Sequence, residues 1–69
     1  MNMNKYEVMA AYGEELNQFK GDKALFWAGR MAQTIKAMTS CSPLRLSGYI
    51  ELLDLLREEY DRIIFDRVK

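Results

Sequence analysis

Three stretches of this chain place apolar side chains three and four residues apart, the repeat of a helix that buries one side. In the first, Met9, Tyr12, Leu16 and Phe19 form a single stripe. Asn4 followed by Glu7 has the spacing of a capping box, and Met3 and Val8 stand where a hydrophobic staple would close. Lys20-Gly21 reads as the stop, a cation in the last turn and a glycine able to take positive φ. Gly13 lies beside the stripe, where it would let another helix approach closely.

The second stretch opens on Asp22, a natural N-cap whose charge suits the positive end of a helix. Its stripe is Ala24, Leu25, Ala28, Met31, Ala32, Ile35 and Met38. The short link after Phe19 predicts that the first two helices form an antiparallel hairpin. Thr39-Ser40-Cys41-Ser42 is a break, and Ser42-Pro43 is a helix start. Ser47-Gly48 offers a second start, so the third helix begins at 43 or at 48. Leu46, Tyr49, Leu53, Leu56, Tyr60 and Ile63 then hold a strict heptad seam. Glu58 with Arg62 and Arg62 with Asp66 have i,i+4 spacing.

The pattern predicts one all-α domain over residues 1–69, with helices at about 5–20, 23–38 and 43/48–68. The architecture expected is an antiparallel helical hairpin followed by a longer amphipathic C-terminal helix, assembling into a helical-bundle oligomer. Length strengthens the oligomer expectation. A chain of 69 residues buries only about 60% of its unfolded surface, and domains this small usually need a staple. With one cysteine and no histidine, neither an intrachain disulfide nor a zinc site of the usual ligands is expected. Yet 49% of the residues are hydrophobic, so association is the remaining way to cover them.

The last helix carries the excess. Beyond its seam, Ile50, Leu52, Leu55, Ile64 and Phe65 are also apolar, a wider arc than the little over 100° that a surface helix needs. The plain reading is that the other two helices straddle it and bury both flanks. The functional reading is that Leu52, Leu55, Leu56 and Phe65 meet a second copy or a partner protein.

Charge and chemistry narrow the classes. Ten basic and ten acidic residues balance, which argues against a strongly basic nucleic-acid binder. The charge is uneven, however: residues 20–48 hold five cations and one acid, and residues 49–69 hold six acids and four bases. Lys23, Trp27 and Arg30 share a helix face, so with Lys36 and Arg45 they form a candidate surface for an anionic ligand, the ring stacking while the cations hold phosphate. The bland alternative is that Trp27 packs at the core edge beneath the stems of Lys23 and Arg30. Cys41 has only hydroxyl neighbours and no histidine to activate it. Glu14, Glu15, Glu58, Glu59 and Asp61 fall largely on polar faces, so no catalytic pair is indicated.

No catalytic residues, cofactor or metal are therefore expected, and the chain is not read as an enzyme. The leading expectation is a small protein-interaction module, an adaptor, inhibitor or assembly factor. Its partner would be itself, as a homodimer or higher oligomer, or a larger protein. Short helical chains of this kind are commonly accessory proteins of phages or plasmids. Two alternatives stand beside it: a nucleic-acid-binding regulator using the Lys23–Arg45 cations, and an oligomer sequestering a nucleotide between Tyr6, Tyr12, Trp27 and Arg30. No apolar run approaches the roughly 20 residues of a membrane helix, and Met1 to Asn4 lack the start of a signal peptide. The location expected is the cytoplasm.

Overall fold

A computed structural model of the chain describes residues 4–68, which form three α-helices and no strand. The staple expected between Met3 and Val8 lies outside the described residues. Helix α1 spans Lys5–Gln18, α2 spans Lys23–Met38 and α3 spans Pro43–Arg67.

Each start is built as the sequence implies. Asn4 Oδ1 accepts the Glu7 amide at 2.9 Å, and Asn4 Nδ2 donates to the Glu7 carboxylate at 3.1 Å. Asp22 accepts the Ala24 amide at 2.9 Å. Pro43 opens α3 with its fixed φ and no amide to leave unpaired. Of the two candidate starts for α3 the earlier is used, and Ser47-Gly48 is interior helix. The segment before it is occupied in closing α2. Thr39 Oγ1 donates to the Lys36 carbonyl at 2.7 Å, and the Cys41 thiol sits 3.5 Å from the Met38 carbonyl.

The stop of α1 differs from expectation. The helix ends at Gln18, with Phe19 extended as its cap, and no glycine among the described residues takes positive φ. Gly21 matters through space instead. A Cβ there would lie 2.8 Å from the Phe19 ring, and that ring packs on Phe26 with centroids 5.4 Å apart. The close contact expected at Gly13 is also absent within the chain, since a Cβ there would meet nothing within 4 Å.

Arg67 at the end of α3 pairs with Asp22 at the start of α2, so these helices are antiparallel. The start of α1 lies beside the first half of α3, where Lys5 meets Glu51 at 3.4 Å. The order is therefore up, down, up. The intimate pair is α2 with α3; α1 lies across them and packs far less closely on α2 than a simple α1–α2 hairpin implies. Its Val8, Met9, Tyr12 and Leu16 side chains press on a core of Phe26, Trp27, Leu52 and Leu56.

That core corrects the sequence reading of both long helices. Trp27 is only 4% exposed, Leu52 8% and Leu56 0%. Buried Thr34 returns its hydroxyl to the Arg30 carbonyl at 2.9 Å. In α2 the inward side is thus centred on Trp27 and Thr34; of the Ala24–Met38 stripe, Ala24 is buried and Met31 packs on the core, whereas Leu25, Ala32 and Ile35 are exposed. The reason is area: Phe26 and Trp27 bury far more apolar surface than alanines can. In α3 the core takes Leu56 from the heptad seam, with Tyr60 and Ile63 packed against it, and adds Leu52 beside the seam, because α1 and α2 approach from two sides.

Candidate functional site

The residues expected at a partner interface separate into two groups. Leu52 and Leu56 belong to the chain's own core, and their proposed contact with a partner is corrected accordingly. α1 and α2 straddle α3 at these positions, so most of the apparent excess there is covered within one chain. Leu55 is half-buried on the side toward α1, whereas Phe65 is 63% exposed.

The anionic-ligand surface is likewise divided. Trp27 is enclosed edge-on against Phe26, with centroids 5.2 Å apart, and has no face to offer a base or nucleotide. Arg30 is engaged three ways: it pairs with Glu15, donates to Gln33 at 3.0 Å, and lies 4.9 Å and 5.0 Å from the Tyr12 and Phe26 ring centroids. It is the clasp between α1 and α2. Lys23, Lys36 and Arg45 remain exposed. Tyr6, Tyr12, Trp27 and Arg30 do not line one cavity in the single chain. Tyr6 borders an open cleft of about 780 Å³ between the start of α1 and the first turns of α3, Tyr12 lies under Arg30, and Trp27 is core.

Asp22 joins two jobs, capping α2 and holding Arg67. The Arg67 guanidinium, and then the Ala24 amide, keep its carboxyl below the ordinary value of 3.8. Among the described residues no group of three or more acidic or cysteine side chains is arranged to hold a metal ion. Among the same residues no helix is long and apolar enough to cross a membrane.

Besides Leu25, Leu44 and Phe65, a different flank also stays partly uncovered. A helix turns about 100° per residue, so Leu46, Ile50, Leu53, Ile64 and Val68 lie together along α3, on the side away from α1. Ile50 is 45% exposed, Leu46 and Val68 are exposed, and Leu53 and Ile64 are half-buried. Along α2 the matching flank is Ala28, Met31 and Ile35, the last 50% exposed. Met31 packs on the core, and Arg57, its side chain 74% exposed, falls between Leu53 and Ile64 on this side of α3, so the open apolar residues here are Ile35, Leu46, Ile50 and Val68. Comparison with protein-family models, with curated proteins and with solved structures finds no match for the chain.

Proposed function

We propose that this protein is a small non-catalytic interaction module, an adaptor, inhibitor or assembly factor that works through apolar surface of α3. The observation that carries the reading is the row Leu46, Ile50 and Leu53, left partly open although the chain has a formed core beside it. Burying one such side chain is worth about 1.5–3 kcal/mol. A contiguous open row of them is a feature of surfaces that meet a partner.

The nucleic-acid reading now rests on Lys23, Lys36 and Arg45 without an aromatic companion, which weakens it relative to the first. One experiment separates the two. The chain immobilised as bait retains a protein from source-cell lysate, the Ile50→Glu bait loses it, and retention survives nuclease treatment. Retention that ignores Ile50→Glu but is lost with nuclease overturns the interaction reading in favour of nucleic acid.

A further inference from the structure

We infer that α1 is a lid, opening as a unit from an α2–α3 pair that stays folded beneath it. This motion belongs to the single chain and is independent of the interaction reading.

Burial falls unevenly on the three helices. Among the described residues the buried ones are Ala24, Phe26, Trp27, Thr34, Leu52 and Leu56, all on α2 or α3. α1 buries none; its Val8, Met9, Tyr12 and Leu16 lie half-buried against that core. Undocking α1 therefore gives up partial contacts on one side, whereas parting α2 from α3 splits the core itself. Local opening begins where the fewest buried apolar contacts hold an element in place.

The ties that hold α1 down lie at the surface. Lys5 meets Glu51 at 3.4 Å, and Glu15 meets Arg30. The two carboxylate side chains are 60% and 50% exposed, and exposed pairs of this kind contribute about 0.2–1 kcal/mol. The Tyr12 ring beneath Arg30 adds a third contact. α2 and α3 have a tie of their own, Asp22 with Arg67, in which α1 takes no part.

α1 is also weak as a helix. It has 14 residues, with Gly13 in its interior. Isolated helices shorter than about 12–15 residues are marginal in water, and an interior glycine costs about 1 kcal/mol relative to alanine. A Cβ at Gly13 would meet nothing within 4 Å, so close packing does not offset that cost. Once undocked, α1 has little to keep it helical, and its hydrogen bonds should be lost together. The short link from Phe19 to Asp22 keeps the opened segment beside its seat.

Native-state hydrogen exchange on the whole chain, in buffer and in low urea, tests the lid. Protection of the central α1 amides, residues 9–16, should be alike and about tenfold or more below the highest in α2 and α3. Their urea dependence should be shallower, because a lid exposes less surface than global unfolding. Arg67→Gln adds a label. The Asp22–Arg67 pair survives lid opening, so this variant should speed the slowest amides of α2 and α3 about two- to fivefold and leave those of α1 unchanged. Equal protection and equal urea slopes in all three helices overturn the lid, as does acceleration of α1 by Arg67→Gln. Rates in α1 that climb toward its ends with no urea dependence overturn it too, since they mean fraying. The urea slopes decide the matter even where Arg67→Gln changes no rate.

Discussion

Leu56 is the deepest side chain among the described residues, and Trp27 belongs to the same core. Leu56 stands on the heptad seam that the spacing of apolar residues picks out, whereas Trp27 lies off the apolar stripe of its helix, where the sequence offered it at most an edge of the core. Trp27 shares its helix side with Lys23, Arg30 and Thr34, which looks polar on a simple count. The structure shows how that side goes inward: Thr34 satisfies its hydroxyl on its own helix, and Arg30 is held at the edge by Glu15 and two rings. Leu56→Ala should cost about 2–5 kcal/mol. A domain of this size has a total stability of about 3–10 kcal/mol, so urea unfolding should show much of it gone. Gly13→Ala acts the other way. The added methyl meets nothing, and the unfolded chain loses freedom, so a gain of about 0.5–1 kcal/mol is expected. A loss on urea unfolding would mean that Gly13 approaches something outside this chain.

Helix boundaries were the legible part of the fold. Asn4, Asp22 and Ser42-Pro43 mark starts because caps and proline act locally, through hydrogen bonds one turn away. The rotation of each helix about its axis was not legible. It depends on which sides three helices share, and α2 and α3 each carry two apolar lines between which spacing does not choose. The α1–α2 hairpin was correct in direction and wrong in intimacy, since α3 takes the closer contact with α2. The tie between Asp22 and Arg67 fixes that pair at one end. It is separated by 45 positions in sequence and had no local signal. Because the folded carboxyl titrates below 3.8, its contribution is fully present above that pH and fades as pH falls through the lower folded value. Asp22→Asn keeps the cap but loses the charge. Thermal melts should show it less stable than the parent at pH 7, with the gap closing below about pH 4. A gap that persists unchanged at pH 2 would assign the stabilisation to something other than the ion pair.

At the scale of the whole molecule, thickness is the governing quantity. The chain measures 39 × 22 × 17 Å, and its shorter dimensions are about two helix diameters. Only one layer of side chains fits inside, which is why six described residues are buried although half the sequence is apolar. The surplus on the last helix was legible in the sequence, but not how it divides. Leu52 and Leu56 are spent on the core, Leu53 and Leu55 are half-buried, and Leu46, Ile50 and Phe65 are exposed. The central claim is that the partly open row of Leu46, Ile50 and Leu53 meets a protein partner. The most direct measurement is capture from source-cell lysate by the immobilised chain, with Ile50→Glu beside it. The account predicts a retained protein that the Ile50→Glu bait loses and that nuclease treatment leaves in place. Equal retention on both baits would contradict it.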